Sequence, residues 1–171
     1  MLKKISLLLF IVLASQAFAQ GIAIGPQLGY QKSKNADEGS VLFGGMVRLK
    51  LSPSFAVEGA INYRQEKYNN GTEKVTSYPI MASALIYILP FAYGVAGAGW
   101  YNSKYEVGGT SETSSPLGYH VGAGAEIALG SIVLTGDIRY VFLKYQFENV
   151  SSASDLKANF YVIMAGILLD L

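Results

Sequence analysis

Apolar residues recur at every second position through most of the chain after residue 20. Phe55 and Val57, for example, alternate with Ala56 and Glu58. A period of two places successive side chains on opposite faces of a β-strand. Eight segments follow this pattern, and their many Gly, Tyr, Val and Ile residues disfavour a helix. The fourth segment, about 77–88, and the fifth, about 91–102, are apolar on both faces, so the pattern leaves their facing open.

The connections between the eight segments alternate strictly between short and long. The short ones lie at 51–54, 89–90 and 128–131, and the long polar ones lie at 32–40, 65–76, 103–116 and 148–158. A meandering barrel with tight turns at one end and long loops at the other has this layout. We therefore predict an all-β protein that forms an eight-stranded antiparallel up-and-down transmembrane β-barrel.

Aromatic residues support the membrane prediction. Beside the long loops, each segment carries one aromatic ring on the parity that we assign to its apolar face. Rings of this kind settle at the level of the lipid headgroups and form a girdle around a membrane barrel. The predicted girdle consists of Tyr30, Phe43, Tyr63, Tyr78, Tyr101, Tyr119, Tyr140 and Tyr161.

Three stretches resemble the small outer-membrane β-barrel domain family, which includes the OmpA-like and OmpX-like barrels. They are Tyr78-Pro79-Ile80 with Leu89 to Gly99, then Gly118 to Glu126, and Leu134 to Tyr140. The resemblance covers Gly21 to Leu171. It implies a bacterial outer-membrane location, with lipid, lipopolysaccharide and the barrel-insertion machinery as partners. Family members usually end in an aromatic residue that this machinery reads, whereas this chain ends in Leu171.

Residues 1–19 are expected to form a cleavable signal peptide. Two lysines precede an apolar stretch of about ten residues, and Ala17-Phe18-Ala19 then provides the small-x-small pattern that signal peptidase reads. The apolar stretch is shorter than the ~20 residues that a membrane-spanning helix needs. Cleavage is expected between Ala19 and Gln20, which leaves residues 20–171 as the barrel domain.

Composition excludes several functions. Without the two leader lysines, the 13 basic residues fall to 11 against 12 acidic ones, a net charge of −1. No basic face is present, so a nucleic-acid partner is not expected. The chain has no Cys and a single His, which argues against thiolate and multi-histidine metal sites. We find no catalytic or cofactor-binding constellation, and we expect no enzymatic activity, cofactor or metal.

Charged side chains concentrate on the face that the barrel turns inward. Eight strands enclose a lumen just wide enough for side chains to fill, and buried charges must be paired. We expect a structural network of Arg48, Lys50, Glu58, Arg64, His120, Glu126, Asp137 and Arg139. Hairpin geometry predicts Arg48 beside Glu58, and Glu126 beside Asp137 with a cation between them. His120 is expected to bond to Glu126 or to water.

These features favour a non-enzymatic outer-membrane protein that contributes to envelope integrity or to surface interaction through its extracellular loops. Two alternatives remain open at this stage. One is a narrow porin or a transporter of small hydrophobic molecules, and the other is a soluble periplasmic barrel that binds a ligand in its interior. The outward apolar parity and the aromatic girdle argue against the soluble barrel.

Overall fold

A computed structural model of the chain describes residues 21–33, 39–68, 73–107, 110–143 and 159–171. All regular structure within these ranges is β-strand. The strands are β1 (Ile22–Ser33), β2 (Ser40–Ser52), β3 (Phe55–Tyr68), β4 (Glu73–Leu89), β5 (Ala92–Val107), β6 (Thr110–Ser114), β7 (Leu117–Leu129), β8 (Ile132–Phe142) and β9 (Phe160–Asp170). Within the same ranges, no helix is long and apolar enough to cross a bilayer. The predicted signal peptide lies outside the described residues.

The strands form one closed antiparallel sheet. Apart from β6 and β7, each strand pairs with its neighbour in sequence, and the pairing of β1 with β9 closes the ring. Strands β6 and β7 both pair with β5 and meet at Ser115-Pro116. Since proline has no N–H to donate to a ladder, this break divides the sixth strand of the barrel into two pieces. The predicted eight-stranded up-and-down barrel is confirmed.

The strand registers define how far the barrel is sheared. Paired residues lead once around the ring from Ser33 through Phe160, Val141, His120, Gly97, Ser83, Glu58 and Arg48 to Ala23. The stagger is therefore ten residues, the difference between positions 33 and 23 on β1. Strand number and shear together fix the radius. Such a barrel is filled by its own side chains, so the inward-facing residues form a packed core.

The structure shows which residues of β4 and β5 point into the lumen, a question that the sequence leaves open. Met81, Leu85 and Tyr93 are buried in the lumen, whereas Ile86 and Trp100 are exposed on the outer face. Because β5 pairs with β4 through Tyr87 and Tyr93, every second residue after Tyr93 also points inward.

Tyr101 therefore corrects the predicted girdle, because it faces the lumen and is only 2% exposed. Its neighbour Trp100 is 58% exposed and supplies the outward ring of this strand. The prediction was wrong because both faces of β5 are apolar, so alternation alone does not distinguish position 100 from position 101.

The two ends of the barrel differ as the connections predict. Pro53-Ser54, Pro90-Phe91 and Gly130-Ser131 form two-residue turns, and Gly130 has a positive φ of 67°. At the other end, β3, β4 and β5 continue through much of the predicted loops at 65–76 and 103–116. Parts of the loop at 32–40 and the whole loop at 148–158 lie outside the described residues.

The outer surface matches the thickness of a membrane. On β4, the outward positions run from Ile88 near a tight turn to Tyr78 in the girdle, a span of ten residues. At about 3.3 Å per residue and a tilt of roughly 45°, this span is about 23 Å high. The apolar band of known membrane barrels is about 25 Å tall. Over this height, the described outward positions carry no charged side chain.

This surface predicts how a charge will be tolerated along one strand. Ala96 faces outward near mid-height on β5, and Asn102 lies on the same face beyond the girdle. Ala96→Arg should lower the free energy of unfolding in lipid vesicles by about 2–4 kcal/mol, and Asn102→Arg by about 0–1 kcal/mol. Urea titration of both variants tests this prediction. Equal losses at the two positions would contradict the assigned membrane level.

Candidate functional site

The lumen contains two buried arginines that share one carboxylate. Arg48 lies on β2 and Arg139 on β8, and each is 1% exposed. Arg48 Nη2 lies 2.6 Å from Glu58 Oε2, and Arg139 Nη2 lies 2.8 Å from Glu58 Oε1. Each oxygen of Glu58 thus accepts a hydrogen bond from a different guanidinium, so this side chain joins two distant strands.

Two further carboxylates complete the pairing. Glu126 Oε2 lies 2.6 Å from Arg48 Nη1, and its Oε1 lies 2.6 Å from Lys50 Nζ. Asp137 accepts from Arg139 Nε at 2.8 Å and from Nη2 at 2.9 Å. Cations and carboxylates therefore alternate in the order Lys50, Glu126, Arg48, Glu58, Arg139, Asp137. We call these six residues the ion-pair chain.

Tyrosine and threonine hydroxyls occupy further hydrogen-bonding positions around the ion-pair chain. Tyr87 donates to Glu126 Oε2 at 2.8 Å, and Tyr93 donates to Asp137 Oδ2 at 3.3 Å. The Tyr93 hydroxyl also lies 2.7 Å from Thr135 Oγ1. The guanidinium of Arg48 stacks over the Tyr93 ring, 5.1 Å from its centroid. A buried ion pair is tolerated only when its remaining donors and acceptors are also satisfied, and these hydroxyls serve that purpose.

Several predicted contacts differ in the structure. Arg48 does lie opposite Glu58 in the β2–β3 register. Glu126, however, lies opposite Thr135, and Asp137 lies opposite Gly124. Glu126 and Asp137 are therefore diagonal neighbours across β7 and β8 and are not directly opposed. A cation shared by the two acids was expected, but Glu126 bonds to Arg48 and Asp137 bonds to Arg139.

His120 does not bond to Glu126, one of the two partners predicted for it. Its Nε2 lies 2.8 Å from Ser83 Oγ instead. Arg139 Nη1 donates to the same Ser83 oxygen at 3.2 Å. Ser83 therefore connects the imidazole to the ion-pair chain. No spacing in the sequence links β4 to β7, so this contact was not predicted.

Arg64 lies apart from the ion-pair chain, toward the end of the barrel that carries the long loops. Its guanidinium carbon lies 4.7 Å from the centroid of the Phe160 ring and 5.9 Å from that of Tyr101. Apolar side chains share this half of the lumen with polar ones, which the sequence pattern did not predict. The signal was the unusual number of large apolar residues on the inward parity, namely Leu42, Met46, Met81, Val141, Phe160, Val162 and Met164.

The girdle residues apart from Tyr101 face outward or lie half-buried at the barrel surface. Phe43, Tyr63 and Tyr78 make successive ring contacts with centroids 5.2 Å apart. Tyr140 and Tyr161 are paired across β8 and β9, with their centroids 4.6 Å apart. Tyr30, Trp100 and Tyr119 also lie at this height and are each more than half exposed, and Phe142 lies beside Tyr140. Amphipathic rings in this arrangement suit the membrane–water interface.

The described residues include no cluster of three or more His, Cys, Asp or Glu side chains that could hold a metal ion. The three lumen carboxylates are each bonded to basic side chains instead. The arrangement is that of a cross-linked interior, with its polar groups directed at one another.

Comparison with known proteins agrees with this architecture. The profile of the outer membrane protein beta-barrel domain family matches residues 5–167. The chain belongs to this family. The protein is accordingly an integral protein of the bacterial outer membrane. No curated protein matches the chain in sequence.

Solved outer-membrane barrels share the fold at low sequence identity. Neisserial surface protein A superposes with a TM-score of 0.64 at 16% identity, over 88% of this chain and 97% of that one. Ail of Yersinia pestis gives 0.55 at 18% identity, over 88% and 97%. OprG of Pseudomonas aeruginosa gives 0.51 at 9% identity, over 89% and 96%. At these identities, the similarity shows the shared fold.

Substitutions in the ion-pair chain should lower the stability of the barrel by different amounts. Glu58→Gln removes the charge that both buried arginines share and should cost about 3–5 kcal/mol of unfolding free energy. Asp137→Ala should lower the free energy of unfolding by less, because Arg139 remains paired with Glu58. Lys50→Met serves as the control and should cost no more than about 1 kcal/mol, since the Lys50 side chain is 37% exposed. Urea unfolding of the three variants gives the ranking, and a Glu58 variant as stable as the control would refute it.

Proposed function

We propose that this protein is a non-enzymatic outer-membrane barrel with a sealed interior, which supports envelope integrity and presents its loop-end strands for surface interaction. The observation that carries the proposal is the ion-pair chain. Its side chains extend from β2 and β3 across the lumen to β7 and β8. Four of its six side chains are at most 4% exposed, at Arg48, Glu58, Glu126 and Arg139.

A conducting path is disfavoured by the same contacts. Permeation through an aqueous channel requires water-lined space along the whole lumen. Here the charged groups contact one another directly at 2.6–2.8 Å, and opening a path would separate buried ion pairs at a cost of several kcal/mol. The interior is therefore suited to holding the barrel rigid.

The loop end offers a preformed surface. Beyond the girdle, β3 pairs with β4 as far as Tyr68 and Glu73. The pairing of β4 with β5 extends to Glu73 and Val107, and that of β5 with β6 to Val107 and Thr110. We call the segments 65–68, 73–76, 104–107 and 110–113 the projecting sheet. A surface held by backbone hydrogen bonds loses less entropy on binding than a flexible loop does, which favours a role in recognition.

The proposed partners follow from the location. Lipid and lipopolysaccharide would contact the apolar band and the girdle, and the barrel-insertion machinery would act during assembly. Ail, which shares the fold, is described as an attachment invasion locus protein and forms a complex with a heparin analogue. That precedent supports testing this protein for binding to surfaces. The partner would be determined by the residues of its projecting sheet.

Single-channel recording tests the sealed interior. The purified protein in planar bilayers should give no discrete conductance steps. A variant with Arg48→Ser, Glu58→Ser and Arg139→Ser, which removes the centre of the ion-pair chain, should conduct if it folds. Folding of both proteins can be established from faster gel migration without boiling. Conductance steps from the unmodified protein would instead support the narrow-porin alternative.

A shortened hairpin separates the two proposed roles. Replacing residues 65–76 by a two-residue turn removes half of the projecting sheet and leaves the ion-pair chain intact. Cells that lack the protein, complemented with the shortened form, should regain detergent resistance but not adhesion to other surfaces. Recovery of both properties would contradict a role for the projecting sheet in binding.

A further inference from the structure

The lysines of the projecting sheet all belong to one face of it. They are Lys67 on β3, Lys74 on β4 and Lys104 on β5. Each lies four residues along its strand from an aromatic residue of the girdle level, namely Tyr63, Tyr78 and Trp100. Residues an even number of positions apart on a strand share a face. The three lysine positions therefore have the parity of the outer face, which contacts lipid lower down the barrel.

The glutamates of the same segments are divided between the faces. Three of the four have the parity of the lumen face, at Glu66, Glu73 and Glu112. The fourth, Glu106, lies opposite Lys74 in the β4–β5 register and so belongs to the outer face. Within the projecting sheet, the outer face thus carries three lysines against one glutamate, whereas the lumen face carries no basic residue. The two faces are suited to different neighbours.

The three lysine positions are adjacent in the sheet. Lys67 lies directly opposite Lys74, and Lys104, which lies opposite Thr76, is the diagonal neighbour of Lys74. Opposed Cβ atoms are about 4.5–5.5 Å apart and diagonal ones roughly 7–8 Å, and like charges at opposed positions destabilise a sheet. Glu106 offsets only one of the three positive charges. An external anion would remove the remaining repulsion, so the arrangement favours an anionic partner.

The level of these positions identifies the anion. Four residues at about 3.3 Å each, on strands tilted by roughly 45°, place the lysines about 9 Å above the girdle rings. Each headgroup layer of a bilayer is roughly 5–8 Å thick, and a lysine on its flexible stem can direct its ammonium group back toward that layer. Long connections lie on the outer side of such barrels. The lysine face therefore meets the headgroups of the outer leaflet.

We propose that Lys67, Lys74 and Lys104 form a binding site for the phosphate groups of lipopolysaccharide in the outer leaflet. The inference rests on the lipopolysaccharide contact of the proposed function and names the residues that make it. Ammonium groups donate charge-assisted hydrogen bonds to phosphate. Lipopolysaccharide carries several anionic groups on one molecule, so one molecule can contact adjacent lysines at once. The bound lipid holds the projecting sheet against its own membrane and leaves the lumen face to other partners.

Heat stability in vesicles of defined composition tests the site. The measurement is the temperature at which the faster-migrating folded band disappears from a gel. When part of the phosphatidylcholine is replaced by lipopolysaccharide, this temperature should rise by a few degrees for the unmodified protein, because the lipid binds only the folded barrel. Most of the rise should be lost in the variant that combines Lys67→Gln, Lys74→Gln and Lys104→Gln. Dephosphorylated lipopolysaccharide should likewise give the unmodified protein little rise.

A matched control changes the other face of the same sheet. The variant that combines Glu66→Gln, Glu73→Gln and Glu112→Gln should keep the full rise, since its lysines are intact. Both variants should also give a folded band in phosphatidylcholine alone. A rise that persists in the lysine variant, or that is lost equally in the glutamate variant, would overturn the proposal. An equal rise with phosphatidylglycerol at the same phosphate content would also overturn it, because any anionic lipid would then suffice.

Co-purification gives a second, independent measurement. Lipopolysaccharide that remains bound after detergent extraction of outer membranes should be several-fold lower per barrel for the lysine variant than for the glutamate variant. Equal amounts would contradict the site. Conductance and adhesion are measured separately, so failure of the lysine site is distinguishable from failure of the sealed interior or of surface binding.

Discussion

The rest of the structure depends on the sharing of Glu58 by two buried arginines. Each guanidinium, removed from water, carries a desolvation cost that only close and complete pairing repays. Glu58 contributes one oxygen to Arg48 and the other to Arg139. This bridge connects strands on opposite sides of the ring. Loss of Glu58 alone would leave both guanidinium groups buried without their shared carboxylate, so this pairing stabilises both the closed lumen and the wall.

Close packing of the ion-pair chain requires small residues beneath its larger members. A Cβ atom on Gly124 would lie 2.6 Å from both the Tyr93 ring and the side chain of Asp137. A Cβ on Gly97 would lie 2.6 Å from His120 Nε2. The glycines of β5 and β7 thus leave the volume that the tyrosine and histidine side chains occupy. Their frequency on the inward parity reflects the shape of the filled lumen.

Much of the barrel could be predicted from the sequence, because period-two alternation and the order of short and long connections are local signals. The Arg48–Glu58 pair is local too, since a tight turn brings the two residues together. The contacts of Arg48 with Glu126 and of Arg139 with Glu58 cross 78 and 81 residues. They depend on the shear of the closed ring, which no hairpin reveals. Tyr101 was misplaced because its strand is apolar on both faces.

The division of the lumen also bears on how a common fold serves different functions. Residues of the outer band must remain apolar to contact lipid, and residues of the ion-pair chain must remain paired with one another. Neither set can therefore change to suit a ligand. The loop-side half has weaker constraints, because Leu42, Val162 and Met164 pack there by shape alone. The projecting sheet beyond it is held by its backbone pairing. Variation in binding should therefore concentrate above the ion-pair chain, where a substitution does not separate buried charges.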